Sequence, residues 1–216
     1  MSETGIVGLY GLLAYAELGA FFRLSDDGKL APTLADKAAL AGMAVAEFSH
    51  FDRIRAELER LGADPGQAMA PFTAPIDAFH ARTVPSDWLE GLIKAYVGDG
   101  IAADFYRAAA EVLDPGPRAL VLEVLADTGH AQFAVDHVRA AIEADPKVAG
   151  RLALWARRLV GEALGQAQQV IVEHAPLAEL LVGGADSGSQ LGEMGRMLAS
   201  ITDAHADRMS ALGLSG

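Results

Sequence analysis

Apolar residues recur along this chain at three- and four-residue intervals, interrupted by short clusters of glycine, proline and acidic residues. Spacing of that kind places apolar side chains on one face of an α-helix. Long alternating runs of Val, Ile and Thr are missing, as are Asn-Gly turns, so strands are not expected. The first predicted helix covers residues 5–24 and stops at Ser25-Asp26-Asp27-Gly28. A second covers 33–61, with Thr33 as N-cap, Asp36 in its first turn, and Gly62 as C-cap before Pro65. Residues 64–86 contain four prolines and read as a long crossover. A third helix covers 86–113, with Ser86 as N-cap. Asp114-Pro115 opens a fourth that runs to 144, and Asp145-Pro146 opens a fifth that runs to 174. A glycine-rich loop at 183–188 precedes a sixth helix over 190–211.

These elements predict an all-α fold: a ferritin-like four-helix bundle with about two additional C-terminal helices. The whole chain, 1–216, reads as one domain, with the bundle at about 5–144 and the extra helices at about 146–213. The first two helices echo the next two. Ala14-Tyr15 before Glu17 resembles Ala95-Tyr96 before Asp99, and Phe21-Phe22-Arg23 resembles Phe105-Tyr106-Arg107.

The same pairs of helices carry the candidate chemistry. Glu17 is followed 30 residues later by Glu47, with His50 three residues beyond; Asp99 is followed 28 residues later by Asp127, with His130 three beyond. Residues i and i+3 share a helix face, so each pair can address one site. A lone carboxylate on one helix and a carboxylate-x-x-His on the next, used twice, is the ligand layout of a di-iron carboxylate bundle. Glu17 and Asp99 each lie within an apolar stretch, where an ionised carboxylate is costly without a cation.

The acidic-x-x-His pattern alone is common. Six histidines in a chain with 29 acidic residues should give about one such pair by chance, and three occur. Asp77/His80 falls in the proline-rich crossover and reads as the chance pair. The competing reading of the other two is a network of mutually satisfied core acids and histidines. Asp104 rivals Asp99, and Glu123 could supplement Asp127. His137 is a candidate outer neighbour of the site. His174 and His205 read as surface residues, and Glu162 and Gln166 as a helix face. Tyr15, Phe21, Phe22, Tyr96 and Phe105 are candidates for the wall of an apolar pocket.

Composition narrows the picture. The net charge of −12 argues against a broad nucleic-acid footprint, although Arg139, Lys147, Arg151, Arg157 and Arg158 concentrate positive charge around the fifth helix. That stripe could meet phosphate; a salt-bridged amphipathic helix is the commoner cause. The chain has no cysteine, which excludes disulfides, thiolate metal sites, iron–sulfur clusters and thiol catalysis and is compatible with a cytoplasmic location. The uncharged run at 4–16 has 13 residues, short for a bilayer span, and lacks the basic start of a signal peptide. No membrane partner is expected. Small-residue helix faces permit close packing within the chain or in a homodimer.

At residues 11–17 (GLLAYAE), 41–50 (AGMAVAEFSH), 88–99 (WLEGLIKAYVGD) and 125–130 (LADTGH) the chain resembles the MiaE-like ferritin-superfamily proteins. The closer resemblance is to the actinobacterial ferritin-like relatives of the tRNA hydroxylase MiaE, over about residues 5–175. It implies a non-haem di-iron centre and an O2-dependent hydroxylase acting on a modified adenosine in tRNA, served by a redox partner. Glu17, Glu47 and His50 match one half-site. Asp99, Asp127 and His130 stand where the family pattern has Glu, Glu and His. Each Asp is one methylene shorter, which weakens its reach to a second iron. Two other outcomes share these residues: a ferroxidase or iron-handling protein without an organic substrate, and a non-catalytic helical module with a degenerate site.

Overall fold

The structure, a computed structural model, describes residues 2–125, 130–182 and 187–214; within them nothing is stated of the side chains of 130, 182, 187–191, 193 and 194. Helices account for all regular structure among the described residues: α1 (Glu3–Asp27), α2 (Leu34–Arg60), α3 (Pro65–Met69), a 3-10 turn (Ala70–Phe72), α4 (Thr73–Arg82), α5 (Trp88–Glu111), α6 (Pro115–Val124), α7 (His130–Ala144), α8 (Val148–Glu173), α9 (Ala175–Val182) and α10 (Ser187–Ala211).

The all-α ferritin-like bundle expected from the periodicity is present. α1 and α2 form its closest pair; α5 packs against α6, α7, α8 and α10, and also meets α1. Leu9, Leu13, Leu40, Ile54, Ile93 and Leu152 form a continuous core with almost no solvent contact. Each such side chain stabilises the fold by about 1.5–3 kcal/mol on burial. Local signals set several helix ends as expected. Thr33 Oγ1 accepts the Asp36 N–H at 3.1 Å and donates to the Asp36 carboxylate at 2.7 Å. Gly62 closes α2 with φ +76°, a backbone conformation that costs glycine nothing.

Five expectations need correction. The proline-rich crossover is mostly helical, because Pro65 and Pro75 lie in first turns, where a missing N–H leaves no helical bond unmade. Asp87, rather than Ser86, caps α5: its carboxylate accepts the Glu90 N–H at 2.9 Å, while Glu90 accepts the Ser86 N–H at 2.8 Å. The fourth helix does not run unbroken from 115 to 144: α6 ends at Val124, with Leu125 leaving helical geometry. Lys147 rather than Asp145 precedes the first turn of α8, which leaves Pro146 outside the helix, and α9, packed on α1, was not anticipated. α1 has the length and apolar composition of a membrane span, but a core helix shares both, and its buried face packs in the bundle and carries Glu17.

α1 approaches α3 through Gly11, where a Cβ would lie 2.1 Å from the Ala68 carbonyl oxygen. At Gly8, one turn earlier, a Cβ would meet nothing within 4 Å. Thermal denaturation is expected to separate the two. Gly8→Ala should be neutral or stabilising by up to ~1 kcal/mol through helix propensity. Gly11→Ala should destabilise by about 1–3 kcal/mol because backbone must move.

Candidate metal centre

α2 presents Glu47 and His50 on one face, three residues apart, and α1 brings Glu17 against them. His50 Nδ1 lies 3.3 Å from Glu47 Oε2 and 3.4 Å from Glu17 Oε2. One potential ligand atom from each residue falls within 4.8 Å of the other two. Glu17 is 9% exposed and Glu47 8%, so two carboxylates sit out of water around one imidazole.

The electrostatics follow from that burial. Loss of solvent pushes the Glu17 carboxyl well above the usual carboxylate range; hydrogen bonding to His50 opposes the rise and Glu47 adds to it. Hydrogen bonds donated to Glu17 and then Glu47 hold His50 up at about 9 against its burial. The imidazolium is the local counter-charge, and a metal ion would replace it.

Asp99 on α5 lines the same cavity as Glu17, Glu47 and His50 and, unlike the two glutamates, keeps substantial accessible surface. Burial, with Glu47's charge, pushes its carboxyl well above the ordinary range. Asp99 stands outside the close three-residue set, as a shortened side chain would. The cavity measures about 340 Å³. Asp127 and the side chain of His130 lie outside the described residues.

The rivals are disposed of elsewhere. Asp104 pairs with Arg208 at 2.6 Å and Arg107 at 3.5 Å, so its charge is already met. Glu123 is half exposed and bound to Arg53. His137 bridges Asp36 at 2.9 Å and the Phe133 carbonyl at 2.9 Å, about three turns along α2 from Glu47. Glu162 meets Arg82 at 3.4 Å. His205, expected at the surface, is 6% exposed with both ring nitrogens unbonded, because α10 turns that face onto the bundle. His174, expected there too, is half-buried against Phe72. Asp77 accepts from Tyr15 at 2.8 Å and does not pair with His80.

The aromatic wall is corrected in part. Tyr96 and Phe105 line cavities, whereas Tyr15, Phe21 and Phe22 do not. Phe22 is 57% exposed, and Phe21 faces Phe48 instead. A helix apolar on nearly every side gives no sequence signal of which aromatic turns inward. Four site neighbours escaped sequence reasoning. Tyr106 on α5 is buried within electrostatic reach of Glu17, which together with burial pushes its hydroxyl pKa up. Arg208 of α10 lies over Gly100 at the cavity. Arg23 and Lys94 line a second, apolar cavity of about 220 Å³ on the other side of Asp99. In the sequence, only the break of an apolar run by each charge hinted at them.

Helices with clustered, buried carboxylates and imidazole define a ferritin-like helical bundle with a metal-type donor set. The family described as "Ferritin-like domain, actinomycetes" matches residues 2–184, and the chain belongs to it. Among solved structures it is similar to "Protein 19 with aldehyde deformylating oxidase activity from Synechococcus". That likeness has 17% identity and a TM-score of 0.66, and covers 98% of this chain and 96% of the other; it shows the shared fold. No curated protein matches the chain.

Both groups at the centre bind more protons folded than unfolded, Glu17 above pH 4.5 and His50 above pH 6.5. Stability of the metal-free chain therefore falls as pH rises through those windows. His50's contribution is complete below about 6.5 and lost as pH passes about 9. Melting temperature without metal should decline from pH 6.5 to 9, and Glu17→Gln should flatten the slope. Stabilisation by added Fe(II), measured anaerobically, should grow with pH, since the ion displaces protons.

Proposed function

We propose that this protein is a non-haem di-iron oxygenase of the hydroxylase type, with iron held by Glu17, Glu47, His50 and Asp99, joined by Asp127 and His130. The observation that carries the reading is the convergence of Glu17, Glu47 and His50 on a cavity that meets an apolar one at Asp99. The donors fit iron: hard anionic carboxylates with an imidazole nitrogen, on side chains whose burial leaves their charge in need of a cation. Iron bound there would supply O2 activation and oxidation of a substrate C–H bond, with electrons from an external reductant.

The chain's own residues supply the setting. Glu17 and Glu47 hold anionic oxygens in place on two packed helices, so little reorganisation is needed when a cation arrives. His50 gives up its proton as the ion binds. Ala16, Ala20, Ala95 and Ala102, shared by both cavity walls, are small enough to leave room for a substrate and present it with apolar surface.

The MiaE resemblance supports hydroxylation in particular, with a modified adenosine of tRNA as the substrate it implies. The stripe on α8 lends that substrate little support. Arg151 is bound to Asp87 at 2.7 Å and to Glu90, and Arg158 donates to the Arg82 carbonyl at 2.6 Å.

Elemental analysis after anaerobic Fe(II) loading tests the reading. About two irons per chain are expected, lost in Glu47→Ala. No specific uptake would end the iron reading and leave a degenerate bundle. Fast iron oxidation with no organic turnover would favour the ferroxidase.

A further inference from the structure

The apolar cavity beside Asp99 has a charged end that the metal centre does not use. It lies between α1, α4, α5 and α8. Near the C-terminal end of α1 and the start of α5 it is lined by Arg23, Asp27, His80 and Lys94; away from that end its walls are aliphatic and aromatic apart from Asp99 and Gln166.

Lys94 is 4% exposed. Its ammonium donates to the Thr83 carbonyl at 2.6 Å and stands 5.6 Å from the Phe79 ring centre. It forms no salt bridge among the described residues, although an ammonium carries three donors. Arg23, half-buried on the same wall, makes no hydrogen bond or ion pair among the described residues. His80 Nδ1 is buried there without a partner. A buried cation with one carbonyl acceptor is an expensive arrangement unless something else meets its charge. Burial, followed by the repulsion of Arg23 and opposed by the charge of Asp27, brings the Lys94 ammonium down to about 8.

We infer that this cavity binds a small amphipathic monoanion, a medium-chain aliphatic carboxylate, with its head group on Lys94 and Arg23 and its tail along the apolar wall past Asp99. The charge balance selects the head. At the charged end two cations face one carboxylate, Asp27, while the cavity's other carboxylate, Asp99, stands five residues further along α5 with the metal ligands; a local excess of one positive charge suits a monoanionic carboxylate better than a dianionic phosphate. The volume selects the tail. At ~30 Å³ for each water-sized group, 220 Å³ holds about seven or eight methylene-sized groups, which matches the seven tail carbons of an octanoate whose carboxylate is seated on the two cations. Lys94 precedes Asp99 by five residues, about 7.5 Å along the helix axis. An extended tail therefore passes the metal centre at mid-chain, several carbons from the carboxylate. As a statement about substrate, this rests on the oxygenase reading; as a statement about binding, it stands without it.

Titration calorimetry of the full chain, with and without loaded iron, compares sodium octanoate, octyl phosphate and octanol. One octanoate per chain is expected in both states, with octanol at least tenfold weaker and octyl phosphate weaker than octanoate. Lys94→Met and Arg23→Met, confirmed as folded by their melting temperatures, should each weaken octanoate about tenfold or more and leave octanol unchanged. Ala167→Phe, which fills the apolar wall, should weaken both. Equal binding of octanoate and octanol, or no loss in Lys94→Met and Arg23→Met, would overturn the inference. Tighter octyl phosphate would overturn the choice of head group. Iron uptake without octanoate binding would sink this inference alone; octanoate binding without iron uptake would sink only the oxygenase.

Discussion

Two buried carboxylates around one imidazole are the constraint that the rest of this bundle serves. Glu17 and Glu47 would repel each other and lose their hydration if nothing positive stood between them. In the metal-free chain the His50 imidazolium fills that place. The geometry that allows it is simple: one i,i+3 pair on α2 and one residue from the helix packed most closely against it. Close packing of α1, secured by Gly11 against α3 and by Gly5 against α9, sets the depth at which Glu17 meets its partners.

Around that centre, space is divided by chemistry. The cavity holding the carboxylates is larger and more polar; its neighbour is apolar except for the cationic end. Asp99 stands on the wall between them. A division of that kind lets a metal-binding group work beside an apolar molecule without admitting bulk water. The fold alone does not confer this, since ferritin-like bundles host different chemistries. It is the placement of Asp99, Lys94 and Arg23 on the faces of α1 and α5 that does.

Local features were readable in the sequence, and long-range ones were not. The helical periods, the Thr33 cap, the Gly62 stop and the Glu47/His50 pair depend on residues within a few positions of each other. Prolines misled because their effect depends on position within a helix: in the first turn they continue α3 and α4 rather than break them. The apolar surroundings of Glu17 correctly signalled burial, but the same richness concealed which of Phe21, Phe22 and Phe105 turned inward. Arg208 and Asp104 are 104 positions apart and meet only because α10 folds back on α5; no spacing rule reaches that far. The duplication between α1–α2 and α5–α7 pointed to Glu17 and Asp99 as counterparts, and both line one cavity.

The measurement that bears most directly on the account is anomalous diffraction at the iron edge from crystals loaded anaerobically with Fe(II). An anomalous peak bonded to Glu17, Glu47 and His50 is expected, with Asp99 facing it across the cavity. A peak at some other cluster of side chains, or an intact Glu17–Glu47–His50 hydrogen-bonded set with no metal in a saturated crystal, would contradict it.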